Sequence, residues 1–227
     1  MNTVLPDSKS TSRKSEKARY NTLTDSQLEW PHWVYQWICI KLLEIYLRLR
    51  YDVRIYGKEN QPKGFQSYIV ACNHTSTKDP PLVSIALDYQ PIAYMAKLEL
   101  FRTPILRLYN WAMSTFAVNR EKLELSTVKT ALKVLKHGKW ALGIFPEGSR
   151  QKDGQLGEAK RGVAYFAKTA WAPVLPLAVV HSTPPKGKKR LEVRIGKLIP
   201  PEKDMDALTL KIQNAIAELA EQTKTGA

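Results

Sequence analysis

The chain has 227 residues, a formal net charge of +14 and a pI of about 9.7. This length suits one α/β domain with a terminal extension and excludes a large multidomain protein. The positive charge indicates a partner such as nucleic acid, anionic lipid or a phosphorylated substrate, without choosing among them. Two cysteines are too few for a disulfide framework, and four scattered histidines without a Cys-x-x-Cys pair predict no metal site.

The N-terminal segment, residues 1–30, is rich in Ser, Thr and Lys. It contains no apolar stretch of the kind that a secretory signal carries. We predict that this segment is a disordered polar tail.

The next segment, His32 to Arg50, is apolar almost all round and predicts a helix with a wide apolar face. At 1.5 Å per residue it would extend over roughly 28 Å, near bilayer thickness, but the charges of Lys41, Glu44 and Arg48 argue against a simple span. Its aromatic residues are of the types that favour the lipid headgroup level. They are Trp30, Trp33, Tyr35, Trp37 and Tyr46. We predict an amphipathic membrane-interface helix over residues 31–51, with packing against its own domain as the open alternative.

From Tyr51 onward, short apolar runs alternate with segments of helical periodicity. Strands are predicted over 51–56, 66–71, 91–96, 115–118 and 141–145, and helices from Pro80 and over 104–113, 122–137 and 158–170. This alternation predicts an α/β fold with a mostly parallel sheet covered by helices. The apolar run 173–180 and the alternating stretch 191–195 predict an antiparallel edge of the sheet. A last helix over 203–221 is predicted to pack on the domain.

The stretch from Cys72 to Pro80 directly follows the predicted strand 66–71, and strand ends are where α/β folds place chemistry. It sets His74 and Asp79 five residues apart, so the segment must curl as a turn if the two side chains are to meet. A carboxylate that fixes the tautomer of an imidazole makes a general base for a hydroxyl. The alternative is structural, since Asp79 before Pro80 also fits a helix N-cap.

Two further stretches follow predicted strands. Residues 145–150 read FPEGSR, with Glu147 and Arg150 three apart around a glycine that permits a tight turn. Residues 114–120 read STFAVNR and end in Arg120. Because all three stretches follow predicted strands, the sequence predicts a base, two guanidinium groups and a carboxylate at the same ends of the strands. Guanidinium groups bind phosphate bidentately. Solvated loop charges are the alternative for each stretch taken singly.

Four stretches together carry a resemblance to a known family. NHTSTKD at 73–79, STFAVNR at 114–120, FPEGSR at 145–150 and APVLP at 172–176 resemble the ordered blocks of the glycerolipid acyltransferases. The chain is most similar to the bacterial-type 1-acylglycerol-3-phosphate (lysophosphatidic acid) acyltransferases, over roughly 68–180. Two positions depart from the pattern, because Ser114 stands where the family often has glycine and Ala117 where phenylalanine or proline is common.

The resemblance implies a glycerolipid acyltransferase-like domain over residues 52–222, with His74 as the general base and Asp79 as its orienting carboxylate. It implies that no metal, no cofactor and no acyl-enzyme take part. The substrate-binding residues that it implies are Asn73, Arg120, Glu147, Gly148, Ser149, Arg150, Pro173, Val174 and Pro176. Of these, Arg120, Glu147 and Arg150 would contact or organise the glycerol phosphate. Gly148 would make the turn, and the last three would shape the wall near the acyl donor.

The implied reaction transfers a fatty acyl group from acyl-CoA or acyl-ACP (acyl carrier protein) to the sn-2 hydroxyl of 1-acylglycerol-3-phosphate, giving phosphatidic acid in phospholipid biosynthesis. The implied partners are an anionic membrane lipid surface, the lysophospholipid acceptor and the acyl thioester, with no nucleic acid. A peripheral or monotopic membrane protein on the cytoplasmic face is expected.

Three alternatives stay open at this point. The acceptor could be another lysophospholipid. Cys72, two residues before His74, could belong to a Cys-His-Asp hydrolase or carry an acyl group. The basic run 186–190 could mark a nucleic-acid- or membrane-binding module without catalysis, although no nucleic-acid-reading motif accompanies it.

Overall fold

The computed structural model describes residue 20 and residues 22–29, 32–119, 124–151 and 155–225. Its helices are α1 (His32–Arg50), α2 (Asp79–Ala86), α3 (Pro104–Ala112), α4 (Leu125–Lys136), α5 (Gly162–Ala170) and α6 (Met205–Thr225). Its strands are β1 (Asp52–Tyr56), β2 (Ile69–Cys72), β3 (Ile92–Lys97), β4 (Phe116–Val118), β5 (Ala141–Ile144), β6 (Val174–Ser182) and β7 (Arg190–Ile195).

The strands described form one seven-stranded sheet in the order β1-β7-β6-β2-β5-β3-β4. The five strands from β6 to β4 run parallel, which confirms the predicted α/β fold with a mostly parallel sheet. As predicted, β7 runs antiparallel to β6, but these two strands are not an edge of the sheet. β1 pairs parallel with the far side of β7, and β6 lies beside the central β2. Periodicity within a strand cannot show which strand lies beside it, and this is why the edge was misplaced.

Helices cover both faces of the sheet. β2 alternates between the two cores, with Ile69 and Ala71 on one face and Val70 and Cys72 on the other. The first face packs against α4, α5 and α6, and Trp140 is its largest buried side chain. The second packs against α1 and α2. The carboxyl ends of β2 and β5 therefore emerge between two helical layers.

The N-terminal segment is only partly described. Residues 1–19, 21 and 30 of the predicted disordered tail lie outside the described residues. The prediction is wrong for residues 22–29, because Leu23 and Leu28 are buried in the first core. The indole N–H of Trp140 donates to the Leu28 carbonyl at 2.7 Å, and Lys133 forms an ion pair with Asp25 at 2.7 Å. Two leucines in a polar stretch are enough to hold it against the domain.

Helix α1 has the predicted bounds, and its inward face is partly polar. His32, Gln36, Ile40 and Leu47 are buried. The Gln36 amide donates to the carbonyls of Ile92 and Met113 and accepts from the Ile92 N–H, so it fixes α1 to the sheet. In the part of the chain that the structure describes, no helix is both long and apolar enough to cross a bilayer.

Candidate active site

His74 and Asp79 meet at the carboxyl end of β2. His74 Nδ1 lies 2.9 Å from Asp79 Oδ2. The same oxygen accepts the backbone N–H groups of Thr75 and Ser76 at 2.7 Å each. The segment therefore curls back on the carboxylate as a turn. The alternative that Asp79 is a helix N-cap is wrong in its detail, because Asp79 is the first residue of α2 and Lys78 holds the cap position.

The electrostatics of the pair fix its protons. Asp79 is fully buried, and burial opposes its charge, but hydrogen bonds from His181, His74 and the Ser76 N–H outweigh burial and lower its pKa. An ionised carboxylate only accepts hydrogen bonds, so the facing Nδ1 of His74 carries a proton. The opposite atom, Nε2, is then left as the basic nitrogen. The ring of Phe145 stacks on this imidazole at 4.1 Å.

A second histidine bonds the same carboxylate. His181 Nε2 lies 2.9 Å from Asp79 Oδ1. Sequence reasoning missed this residue, because it lies 102 positions from Asp79 and belongs to no recognised block. The only sequence signal was the alternation of Leu177, Val179 and His181, which places these side chains on one face of β6.

The FPEGSR stretch lies beside His74, because β5 is the neighbour of β2. The N–H of Gln151 donates to the His74 carbonyl at 2.8 Å, so the backbone that follows the exposed Arg150 lies against the backbone of His74. Gly148 has a φ of +71°, a conformation that favours glycine. A Cβ added at this glycine would lie 3.2 Å from Nζ of Lys160, so the Lys160 side chain packs against the turn. Two cations thus flank the turn, and only Arg150 was predicted.

Two predicted substrate residues are buried instead of open to solvent. The Asn73 carboxamide pairs with the backbone of Val179 through both its atoms, at 2.9 and 2.7 Å. It therefore extends the β2–β6 pairing, and this bonding gives no support to the predicted contact of Asn73 with substrate. Glu147 is buried and lines a small cavity with Asn73 and with Gln213 of α6. That position suits a residue that organises the loop rather than one that touches phosphate.

Comparison with known proteins identifies the family of the chain. A family model described as Acyltransferase matches residues 52–180, which is more than half of the chain. The chain belongs to the acyltransferase family. It is 34% identical over 161 residues to the 1-acyl-sn-glycerol-3-phosphate acyltransferase of Bacillus subtilis, covering 71% of this chain and 78% of that protein. It is 30% identical over 168 residues to the protein of that name from Pseudomonas aeruginosa, covering 71% of this chain and 58% of that one.

A solved structure shares the fold of this acyltransferase. The crystal structure of the 1-acyl-sn-glycerophosphate (LPA) acyltransferase PlsC from Thermotoga maritima superposes with a TM-score of 0.65 at 23% identity. The match covers 97% of this chain and 84% of the Thermotoga chain. At this identity the likeness shows the fold alone.

The remaining predicted site residues of this acyltransferase have different outcomes. Arg120 lies outside the described residues. Val174 pairs with Ile69 and Pro176 with Ala71, so the start of β6, with Pro173 just before it, lies toward the amino ends of the strands. Val174 and Pro176 are also buried. The geometry therefore gives no support to their place in an acyl-donor wall. Ser149 is exposed beside Arg150.

The thiol alternative fails on burial. Cys72 is buried, and burial together with the nearby charges of Asp79 and Glu147 raises the pKa of its thiol well above the ordinary value. Nucleophilic cysteines need the thiolate and access to substrate. Cys72 is a packing residue of the core that faces α2.

Proposed function

We propose that this acyltransferase moves a fatty acyl group from a thioester to the sn-2 hydroxyl of 1-acylglycerol-3-phosphate, giving phosphatidic acid. The observation that carries the proposal is the buried Asp79 held against Nδ1 of His74, with Nε2 of that ring as a base at a strand end. The names of the Bacillus and Pseudomonas relatives support the choice of acceptor. Another lysophospholipid is the second candidate acceptor.

The proposed mechanism uses His74 twice. Its Nε2 removes the proton of the sn-2 hydroxyl while the hydroxyl oxygen attacks the thioester carbonyl carbon. Asp79 stabilises the imidazolium that forms. The tetrahedral intermediate collapses with cleavage of the C–S bond, and the imidazolium returns its proton to the leaving thiolate. The products are the diacyl lipid and a free thiol, and no group on the protein is acylated.

The acceptor phosphate is assigned to the cations beside the dyad. Arg150 is exposed and precedes Gln151, whose N–H bonds the His74 carbonyl, and Lys160 lies against the same turn. Arg120 completes the proposed set through the family resemblance. Guanidinium and ammonium groups bind phosphate by charge-assisted hydrogen bonds. Glu147 and Gly148 shape the loop that carries Arg150.

A lipid surface is the proposed working place, at the cytoplasmic face as a peripheral or monotopic protein. The outward side of α1 exposes large apolar side chains, and α3 continues this surface, because the rings of Tyr35 and Trp111 lie 5.5 Å apart. We call this surface the apolar face. On α1 it comprises Tyr35, Trp37, Ile38, Leu42, Ile45, Tyr46 and Leu49, and on α3 Ile105, Leu108 and Trp111. Isolated apolar side chains need no explanation, but a continuous patch of this kind indicates a binding surface.

The test is an assay of the purified full chain with its proposed substrates. Lysophosphatidic acid and other lysophospholipids are offered with a panel of acyl-CoA and acyl-ACP donors, and the lipid products are analysed. Formation of phosphatidic acid, lost in His74→Ala, is expected. Product from a different lysolipid only would replace the acceptor, and absence of any acyl transfer would overturn the proposal. The preferred donor identifies the carrier.

A further inference from the structure

His181 shares the buried carboxylate of the dyad. Asp79 Oδ2 receives His74 and two backbone N–H groups, whereas within the described residues Oδ1 has one partner, His181 Nε2. Asp79 is fully buried, while 27% of the His181 side chain is exposed. One carboxylate thus lies between two imidazole rings at the strand ends.

The fold brings His181 there by a specific route. The amide of Asn73 pairs with Val179 after β2 has ended, and this pairing holds β6 beside the turn. Side chains alternate along a strand, so His181 lies on the same face as Val179 and Leu177. These two pack in the core that faces α2, whose first residue is Asp79.

We propose that His181 is a positioning residue for the His74–Asp79 dyad, an inference that rests on the proposed function. The terminal torsion of an aspartate is broad, so a carboxylate bonded at one oxygen only can turn. The Nε2–H of His181 donates to Oδ1 and so fixes the plane of the Asp79 carboxylate. In that orientation Oδ2 stays hydrogen-bonded to Nδ1 of His74. Without that donor, a buried carboxylate oxygen lacks a hydrogen bond. The carboxylate then turns toward another donor, and the His74 tautomer is no longer fixed.

The kinetic test replaces the imidazole by groups with and without an N–H donor. His181→Leu is expected to lower kcat by about tenfold, as expected for loss of a hydrogen bond to a charged group. The KM values of both substrates should change by less than about twofold, since His181 acts through Asp79 and not on substrate. His181→Gln, whose amide nitrogen stands near the position of Nε2, should restore most of kcat.

A matched control is available in His137. It bonds the carboxylate of Glu29 at 3.3 Å and its side chain is 18% exposed. It precedes β5, however, so it lies at the amino ends of the strands, whereas the dyad lies at their carboxyl ends. His137→Leu should leave kcat unchanged. Wild-type kcat in His181→Leu would overturn the inference. So would a loss that appears in KM alone, or one that His181→Gln fails to restore.

A second readout does not depend on turnover. In chain labelled with 15N at its four histidines, NMR should find neutral His74 protonated at Nδ1, and a mixture of tautomers in His181→Leu. If His74 keeps the same tautomer in His181→Leu as in the wild type, the inference is wrong even if the enzyme is active. If the tautomer shifts but wild-type protein transfers no acyl group, the proposed function fails and the positioning role stands. Should His181→Leu unfold, His181→Asn, with its shorter amide, takes its place against His181→Gln.

Discussion

At the scale of single residues, the site depends on which proton sits on which nitrogen. Asp79 can fix the Nδ1–H form of His74 only while it is ionised. Burial opposes this charge, but hydrogen bonds from His181, His74 and the Ser76 N–H lower the pKa of Asp79. An amide at this position would still fit the space. Its oxygen would take the place of Oδ2, because three donors face that atom, but a neutral amide cannot stabilise the imidazolium that forms on His74.

Asp79→Asn should therefore lower kcat by about 10²-fold or more, because the neutral amide removes the charge that stabilises the His74 imidazolium. The matched control is Asp88→Asn, an exposed aspartate paired with Lys58 whose φ of 46° asparagine tolerates well. Steady-state kinetics of both variants, with circular dichroism as the folding control, make the comparison. Similar kcat values in the two variants would contradict the proposed role of Asp79.

Ser114 has a backbone conformation that favours glycine. Its φ is 49°, in the left-handed region, and it is fully buried. Its hydroxyl has no hydrogen-bond partner among the described residues. Ser114→Gly should raise the free energy of unfolding by about 1 kcal/mol, because the left-handed strain disappears and glycine's greater unfolded-state entropy offsets only part of it. Ser114→Ala keeps the Cβ and removes the hydroxyl. In urea unfolding it therefore separates the effect of the left-handed strain from that of the buried hydroxyl. A Gly variant less stable than the wild type would disprove this account.

The sequence allowed part of the site to be predicted, and sequence distance explains the rest. His74 and Asp79 lie five residues apart, so one turn brings them together. His181 reaches Asp79 only through the pairing of β2 with β6, which no local pattern reveals. The position of Asn73 in its motif was visible from the sequence, but its bonding to the Val179 backbone was not.

At the scale of elements, α1 was predicted with its observed bounds because nineteen residues of helical pattern carry a strong signal. Other boundaries moved by several residues, as for β2, which begins at Ile69 instead of 66, and α5, which begins at Gly162 instead of 158. Such shifts are expected, since loop hydrogen bonds decide where an element starts. Lys41, Glu44 and Arg48 form a charged stripe on α1 that the sequence pattern shows. The contact of this stripe with Tyr89 could not be predicted from the sequence.

That stripe ties α1 to the loop before β3. Glu44 accepts from Lys41 at 3.0 Å, from Arg48 at 2.8 Å and from the Tyr89 hydroxyl, and its side chain is 12% exposed. Burial opposes its charge, but the hydrogen bonds from Tyr89, Arg48 and Lys41 prevail and lower its pKa from 4.5 to about 2. A carboxyl group with a lowered pKa stabilises the fold above the unfolded-state value and loses that stabilisation as the pH falls.

Glu44→Gln should therefore lower the free energy of unfolding by about 1–2 kcal/mol at neutral pH, a figure reduced for partial exposure. The difference from the wild type should shrink as the pH falls from about 4.5 toward 2. Urea unfolding across this pH range measures it, with the exposed Glu218→Gln on α6 as control. A difference independent of pH would show that the carboxylate charge does not contribute.

At the scale of the whole molecule, α1 has a partly polar inward face and large apolar side chains on its outward face. Gln36 faces the sheet through hydrogen bonds, whereas Leu42 and Leu49 point outward with 64% and 72% of their surface exposed. On α3, Ile105 is 82% exposed and extends the same apolar face. The proposed place of the protein at a lipid surface depends on this apolar face.

Deleting α1 would be a poor test of membrane binding, because Ile40 and Leu47 are part of the core. Outward substitutions keep the fold. The triple variant Leu42→Gln, Leu49→Gln and Ile105→Gln should lose most binding to anionic vesicles in a flotation assay, since burial of apolar surface contributes roughly 25 cal/mol per Å². The matched control is Leu125→Gln with Leu210→Gln, which are 78% and 59% exposed and lie on the helices of the opposite sheet face.

Salt separates the two contributions to this binding. The net charge of +14 favours anionic lipid, and high salt should weaken that share by screening surface charges. Wild-type protein should then keep part of its flotation at high salt, because the apolar face is insensitive to screening, whereas the triple variant should float only at low salt. If the triple variant floats as well as Leu125→Gln with Leu210→Gln at both salt concentrations, the apolar face does not bind the bilayer and α1 serves only its own domain.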